Sequence, residues 1–283
     1  MRDNSVYCLA CGSSTKFVTR RRSRDYDQST LYGIYCCDNC ASFTADCPYT
    51  PELYDEQYYL IAEDPRTHDP QMHHYANIVN KLSRKNGPAP AILDVGCGSG
   101  KFLHSYSRIA LKAHLSGLEI DPVAVRKIRR DSPAFNIYAG YEELGNTSFD
   151  VVCAWNVIEH VPDPRMFLGR LVKHTKTGGL IAISTPNHTQ INRWLQGMRK
   201  WEAIDPPHHL CILSRRALLQ IFGQCGVRPI DLSTFSWHFG GYYNPAQWWK
   251  PKYILPTVLG KLRLGGNLLL IGRKVSSCPL MSR

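Results

Sequence analysis

Four short apolar runs along the chain predict the strands of a buried sheet. They lie at residues 91–95, 115–121, 149–156 and 180–187, and glycine or polar residues bound each of them. Continuous apolar runs of this length are typical of strands that are covered on both faces, as in a parallel sheet. Segments with helical signals lie between the runs, so the pattern predicts an α/β fold around one main core.

Helical spacing of apolar residues predicts two further helices. One covers His73–Leu82 and stops at Asn86-Gly87-Pro88. The other covers Leu213–Cys225, with Ser214 as its N-terminal cap. We divide the chain into a small module at residues 1–50, a linker with a leading helix at 51–87, and a main domain at 88–276 with an insertion at 237–264.

A glycine loop follows the first apolar run and leads into a helix start at Lys101. Glycine stands at positions 96, 98 and 100, where it lets the backbone approach a ligand closely and adopt conformations that a Cβ would penalise. The helix N-terminus behind the loop offers N–H groups to a carboxylate or phosphate. Alone, such a loop also suits nicotinamide and flavin enzymes. Glu119, in the next predicted strand, is placed to accept both ribose hydroxyls of a nucleoside.

Three segments together resemble successive motifs of class I S-adenosylmethionine-dependent methyltransferases. Their sequences are ILDVGCGSGKFL, SGLEIDP and FDVVCAWNVIEHVPDP, and the resemblance extends over residues 75–274. It implies a doubly wound, mostly parallel seven-stranded sheet whose last two strands, Val227–Thr234 and Asn267–Val275, form an antiparallel hairpin. It also implies S-adenosylmethionine as the methyl donor.

The resemblance assigns cofactor contacts position by position. It places the glycine loop against the methionine half of the cofactor, Glu119 on the ribose and Ile120 against the adenine. It places Asp94 beside the methionine half as well. A buried Asp94 at the strand end can also hold the N–H groups of the loop, a structural role that is compatible with the contact to the cofactor. The cofactor-binding residues predicted in this way are Asp94, Gly96, Cys97, Gly98, Gly100, Glu119, Ile120 and Asn156.

Three histidines are candidates for the base that takes a proton from the acceptor. His160 follows the third motif, where parallel sheets place their ligands. Some quinone-ring O-methyltransferases resemble this segment, and the likeness implies that Glu159 and His160 lie near a metal. His208 and His209 form a rival pair. In resembling enzymes that act on sugars, cell-surface polysaccharides or natural products, a similar Pro-x-His-Leu stretch closes over the acceptor. The alternative is a turn bounded by prolines with hydrogen-bonded imidazoles.

Two C-x-x-C pairs in the N-terminal module predict a structural zinc site. The ligands are Cys8, Cys11, Cys37 and Cys40, with Cys36 as an alternative to Cys37 in the second pair. Four thiolates suit tetrahedral zinc, as in zinc ribbons, and leave no open position for catalysis. The alternative is a group of free or redox-active thiols.

Charge and composition limit the classes of binding partner that we expect. The 283 residues carry 34 Lys and Arg against 23 Asp and Glu, a net charge of +11. This excess suits a phosphate-rich partner or an anionic membrane, and also ordinary solvated faces. Nucleic acid is not favoured, because no recognition motif accompanies the charge. No signal peptide or membrane-spanning segment is predicted, so we expect a cytoplasmic protein in which clustered cysteines hold metal.

The acceptor depends on the C-terminal half, which has fewer motifs. The tryptophan-rich insertion at 237–264 is expected to cover the acceptor as a lid, with peripheral contact to a membrane as the alternative. The leading hypothesis is O-methylation of a sugar, glycan or small hydroxylated metabolite. Its alternatives are O-methylation of a lipid-linked, quinone-like phenol, or a non-enzymatic zinc-ribbon binding protein with a degenerate nucleotide fold. The oligomeric state is not predicted.

Overall fold

A seven-stranded sheet and a four-stranded sheet organise the described part of the chain. The computed structural model describes residues 6–23, 29–49, 69–84, 89–235 and 258–279. The strands are β1 (Thr15–Arg21), β2 (Tyr32–Cys37), β3 (Phe43–Asp46), β4 (Ala91–Val95), β5 (His114–Leu118), β6 (Asn136–Tyr138), β7 (Phe149–Trp155), β8 (Thr175–Pro186), β9 (Cys211–Ile212), β10 (Val227–Phe235) and β11 (Asn267–Lys274). The helices are α1 (Pro70–Ser83), α2 (Lys101–Ser107), α3 (Pro122–Asp131), α4 (Tyr141–Leu144), α5 (Pro164–Lys173), α6 (Ile191–Gln196) and α7 (Arg215–Gln224), with a 3-10 turn at Ile158–His160.

The large sheet confirms the predicted fold class. Its strand order is β10-β11-β8-β7-β4-β5-β6. The pairs from β8 through β7, β4 and β5 to β6 are parallel, whereas β11 runs antiparallel to both β8 and β10. The chain reverses its direction along the sheet beside β4, and open α/β sheets bind their ligands at such a switch point, beyond the carboxyl ends of the strands.

Alternating side chains of the central strands supply two apolar layers, one on each face of the sheet. Ile92 packs with Phe102 and Tyr106 on one face, whereas the next residue, Leu93, belongs to the cluster with Leu168 on the other face. Because successive strand residues point to opposite faces, a continuous apolar run such as Ala91–Val95 needs helices on both sides.

Two predicted strand boundaries differ from the observed ones. The second strand ends at Leu118 and not at Asp121, because the Glu119 carboxylate accepts the N–H groups of Ile120 and Asp121. Asp121 in turn caps α3 through the N–H of Ala124. The strand predicted at 180–187 begins earlier, at Thr175, because Thr175 pairs with Phe149 of β7. A register shift separates this pair from the pairing of Leu180 with Val151, and Gly178 has a positive φ of 77° within it.

The leading helix starts three residues before the predicted position. Asp69 accepts hydrogen bonds from the N–H groups of Gln71 and Met72, and Pro70 occupies the first turn. An Asp cap followed by proline is a strong start signal, because proline lacks only an N–H that the first turn cannot use. Most of the predicted linker and residues 237–257 of the predicted lid lie outside the described residues.

The cysteine-containing module is joined to the main domain by a shared sheet. Its strands have the order β1-β2-β3-β9, and β9 comes from the main domain: Phe43 and Thr44 pair with Ile212 and Cys211. The ring of Phe43 meets the fully buried Trp201 edge to face, with 6.0 Å between ring centroids. The module is therefore packed directly onto the main domain.

No helix among the described residues combines the length and the apolar composition that crossing a membrane requires.

Candidate functional site

The glycine loop between β4 and α2 has the shape that the sequence predicts. Gly98 and Gly100 both have left-handed φ angles, of 53° and 84°. A Cβ on Gly100 would lie 2.6 Å from Cδ1 of Ile128, so a larger residue would push the loop away from α3. A Cβ on Gly98 would have no atom within 4 Å. The loop is thus tightly packed at Gly100, on the side of α3, and open at Gly98, where a cofactor would lie.

Glu119 ties the glycine loop to the end of β5. Its Oε2 accepts the N–H of Gly98 at 2.8 Å, and its Oε1 accepts the N–H groups of Ile120 and Asp121 at 2.8 and 3.1 Å. Burial raises the pKa of Glu119, and these three hydrogen bonds act against that shift. The neighbouring Ile120 side chain is 63% exposed. A rigid carboxylate beside an exposed apolar side chain fits a ribose and an adenine.

Asp94 differs from Glu119 in its hydrogen bonding. Its side chain is buried, and its Oδ1 has no hydrogen-bond partner among the described residues. Burial and the nearby charge of Glu119 raise its pKa well above the usual range. A buried acceptor without a donor is costly unless a ligand supplies one. The ammonium group and the sulfonium of S-adenosylmethionine provide such positive charge, so these residues fit the cofactor.

Two of the predicted cofactor residues face away from the open side of the loop or lie at its margin. Cys97 is buried, and its Sγ would be 2.5 Å from a Cβ built on Gly117, so its side chain belongs to the core and only its backbone lines the loop. Asn156 follows β7 with a left-handed φ of 53°, and its Oδ1 accepts the hydroxyl of Ser184 at 2.9 Å.

An aromatic stack beside the glycine loop was not predicted from the sequence. The rings of Tyr75 and Trp155 lie parallel, with centroids 4.6 Å apart, and Phe102 packs on Trp155 at 4.9 Å. Tyr75 comes from α1, so the leading helix covers the carboxyl end of β7. The helical periodicity marks Tyr75 as a core position, but nothing local in the sequence indicates which strand it meets.

Glu159, His160 and His209 converge at the end of β7, although His160 and His209 stand 49 positions apart (209 − 160) in the sequence. The ligand atoms of the three side chains lie within 4.8 Å of one another. His160 Nδ1 lies 2.8 Å from the carbonyl oxygen of His208, and His209 Nδ1 lies 2.7 Å from that of Ala203. A carbonyl only accepts, so both Nδ1 atoms carry the proton and both Nε2 atoms carry the lone pair.

Burial sets the protonation of this cluster. Glu159 is fully buried, with Oε2 accepting the Thr185 hydroxyl at 3.0 Å and Oε1 lacking a partner among the described residues. Burial raises the pKa of Glu159 to about 8. Burial and the facing His209 lower the pKa of His160 to about 3, so that imidazole is neutral at pH 7. A side chain with so low a pKa is a weak base.

His208 takes part mainly through its backbone. Its carbonyl holds His160, and its Nδ1 lies 3.9 Å from a carboxylate oxygen of Asp205. Its side chain is not among the three that converge. The structure therefore brings His160 and His209 together and leaves the His208 imidazole beside them, on the Asp205 side.

The four cysteines of the two C-x-x-C pairs lie together. Three Sγ–Sγ distances are 3.5 to 3.6 Å: Cys8 to Cys40, Cys11 to Cys37, and Cys11 to Cys40. A tetrahedral ion with bonds of about 2.3 Å would space its sulfurs about 3.8 Å apart. The residues present thus fit zinc with little movement. Cys36 instead packs against the apolar cluster around Trp201.

The sheet order, the glycine loop and Glu119 define a class I S-adenosylmethionine-dependent methyltransferase domain. The family model described as "Methyltransferase domain" matches residues 67–232, more than half of the chain. The chain belongs to this family.

Similar curated proteins act in quinone biosynthesis. The ubiquinone biosynthesis O-methyltransferase of Nitrobacter winogradskyi is 28% identical over 157 residues, which cover 48% of this chain and 59% of that protein. The mitochondrial protein of the same name from Schizosaccharomyces pombe is 31% identical over 113 residues, 37% of this chain and 40% of that protein. The chain thus spans between two fifths and three fifths of the length of these two relatives.

Solved structures with the same fold include two methyltransferases. Geranyl diphosphate C-methyltransferase from Streptomyces coelicolor, in complex with S-adenosyl-L-homocysteine, has a TM-score of 0.54 at 14% identity and covers 81% of this chain and 100% of its own. The plantazolicin methyltransferase BpumL, also with S-adenosylhomocysteine, has a TM-score of 0.53 at 16% identity and covers 78% of this chain and 91% of its own. At these identities the likeness shows the fold alone.

Proposed function

We propose that this protein transfers a methyl group from S-adenosylmethionine to a hydroxyl of a small-molecule acceptor held at Glu159, His160 and His209. The observation that carries the proposal is the position of this cluster. Val157 contacts the glycine loop at Gly96, and Glu159 follows two residues later. The acceptor oxygen and the methyl donor thus meet at one edge of the sheet.

Methyl transfer needs an aligned oxygen that can lose its proton. His160 and His209 present two Nε2 lone pairs, and Glu159 presents an oxygen without a donor, to one small space. A divalent cation held there would supply a positive charge that stabilises the deprotonated acceptor oxygen. The backbone carbonyls of Ala203 and His208 fix the imidazole planes, and Thr185 fixes the carboxylate.

A phenolic hydroxyl is the acceptor that the relatives favour. Both curated relatives named above are ubiquinone biosynthesis O-methyltransferases, in line with the quinone-like alternative. The sugar or glycan acceptor finds no support among them. The non-enzymatic alternative finds none either, because the glycine loop and Glu119 are intact.

The test is methyl transfer by the full chain. We expect a catechol such as 3,4-dihydroxybenzoate to yield a methylated product and S-adenosylhomocysteine, both followed by mass spectrometry, and a panel of free sugars to yield none. His160→Ala should abolish turnover while binding of S-adenosylhomocysteine persists. His114→Ala, at an exposed strand start, is the matched control. Unchanged turnover in His160→Ala would remove the cluster from the reaction, and an intact chain that binds no cofactor would refute the function as a whole.

We further infer that Cys8, Cys11, Cys37 and Cys40 hold a structural zinc ion. The near-tetrahedral spacing of the sulfurs supports it, as does the small apolar core of the module, which a metal would supplement. The module also contributes to the acceptor side of the site. Arg21 donates to the carbonyls of Arg199 and Ile204, on either side of the Ala203 that holds His209.

A further inference from the structure

A cavity of about 480 Å³ opens where the cysteine module meets the main domain. Asn39 and Cys40 of the module line one side, and the start of α7 lines another. Asn187, directly after β8, and Arg263, in the segment before β11, complete it. The cavity lies at the carboxyl edge of the sheet, two residues along the chain from the Thr185 that holds Glu159.

The lining of this cavity is positively charged. Arg215, Arg216 and Arg263 line it, and no Asp or Glu does. None of the three guanidinium groups forms an ion pair with an acidic side chain of the described residues. Burial, and after it the charge of Arg263, lower the pKa of Arg215. Like charges held together in this way lack the anion that would stabilise them.

Hydrogen bonds hold the backbone from which the three arginines extend, and the Arg216 guanidinium donates to Asn39 Oδ1 at 3.5 Å. Arg215 and Arg216 start α7, a helix of ten residues capped by Ser214, so its positive end adds to their charge. The carbonyl of Arg263 accepts hydrogen bonds from the side chains of Asn187 and Thr189.

A histidine adds a further polar atom to the same cavity. His188 lines it, and its Nδ1 is buried without a hydrogen-bond partner among the described residues. A buried ring nitrogen without a partner is costly, and a ligand oxygen would satisfy it.

We propose that Arg215, Arg216 and Arg263 bind a phosphate group carried by the methyl acceptor. Arginine matches the geometry of phosphate oxygens with paired N–H donors, and three guanidinium groups suit the charge of a phosphate or diphosphate. That the phosphate belongs to the acceptor rests on the proposed function, because both sites share one sheet edge. The phosphate can belong to a soluble nucleoside diphosphate or to a lipid headgroup.

A structural role for the arginines makes a different prediction. Cys40 lines the cavity, so the guanidinium groups could serve as counterions to the thiolates of the cysteine cluster. In that case their removal releases zinc and leaves phosphate binding unaffected.

The test is binding to the zinc-loaded full chain, with S-adenosylhomocysteine present and at low ionic strength. Titration with inorganic pyrophosphate and with uridine diphosphate should give heat of binding, and the double variant Arg215→Gln, Arg263→Gln should weaken the affinity at least tenfold. Arg228→Gln, an exposed arginine at the start of β10 on the opposite edge of the sheet, should not change it. Sedimentation with vesicles containing phosphatidylglycerol, compared with phosphatidylcholine alone, identifies a lipid source if the same variant loses that binding.

Three outcomes decide the proposal. Binding of either phosphate probe, or of the anionic vesicles, that falls only in the double variant supports it. No binding of any probe by a chain that does bind S-adenosylhomocysteine overturns it and leaves the proposed function standing. Loss of zinc from the double variant without loss of phosphate binding also overturns it, in favour of the counterion role.

Discussion

Replacing Glu119 by glutamine removes one acceptor oxygen from a side chain that serves three backbone N–H groups. In the native site Oε2 faces Gly98, whereas Oε1 faces Ile120 and Asp121. Glutamine has one carbonyl oxygen and one NH2 group. Whichever way it turns, the NH2 points at an N–H donor, either in the glycine loop or at the start of α3.

The magnitude follows from this mismatch. A buried N–H that loses its acceptor costs about 1 to 3 kcal/mol, and the contact with the ribose loses its negative charge as well. Because we predict that the glycine loop contacts the cofactor, we expect most of this loss to appear in binding. The affinity for S-adenosylhomocysteine should fall roughly tenfold to a hundredfold, since about 1.4 kcal/mol corresponds to a factor of ten.

Isothermal titration with S-adenosylhomocysteine measures the effect. Glu202→Gln, at an exposed position, makes the same chemical change away from the loop and should bind like the native protein. Near-ultraviolet circular dichroism establishes that both variants are folded. A dissociation constant of a folded Glu119→Gln variant within twofold of the native value would refute the assignment of Glu119 to the ribose.

Three further predictions test the loop, the leading helix and the metal site. Gly100→Ala should lower the free energy of unfolding by about 2 kcal/mol or more, because it adds the Ile128 clash to a left-handed φ. Gly178→Ala, which also has a positive φ but lies in open space, should lose only about 1 kcal/mol, and equal losses in urea unfolding would show that the Ile128 side chain moves aside. Burial lowers the pKa of His74 from 6.5 to about 4, so its contribution to stability is present above pH 6.5 and is lost as the pH falls toward 4. Other buried histidines, such as His160, lose stability over the same range, so we expect His74→Gln to reduce the loss between pH 7.5 and pH 5 by about 2 kcal/mol and His114→Gln to leave it unchanged; an unchanged acid slope in His74→Gln would contradict it. Metal analysis should find about one zinc per chain, lost in the double variant Cys8→Ser, Cys37→Ser and kept in Cys47→Ser; a native protein that folds fully without metal would contradict the site.

The order of the central elements could be predicted because its signals are local. The apolar run at 91–95, the glycines behind it and Glu119 lie within one βαβ unit, and the resemblance extends that unit to the whole sheet. The spacing of the two C-x-x-C pairs likewise indicates a four-thiolate site. These features depend on residues close in sequence, where periodicity and turn chemistry act directly.

The acceptor side could not be predicted in the same way. His160 and His209 were named as rivals, but the structure brings both to one cluster through the carbonyls of His208 and Ala203. The cavity lined by Arg215, Arg216 and Arg263 is built from the N-terminal module, from the segment after β8, and from the segment before β11. Such contacts arise from tertiary packing. The periodicity of each segment indicates its secondary structure and does not indicate which distant segment it contacts.

The pairing of β3 with β9 has a consequence for how the chain is made. Beside this pair of strands, the N–H of Ser214 donates a hydrogen bond to the hydroxyl of Ser42, although the two residues stand 172 positions apart. A ribosome releases β1, β2 and β3 long before it releases β9, and non-local pairings must wait for the loop between them to close. Until then the edge of β3 has no protein partner of its own, and nascent modules on neighbouring ribosomes can pair through it. Early capture of zinc would hold the module closed during that interval, which links the yield of folded protein to the supply of metal at synthesis.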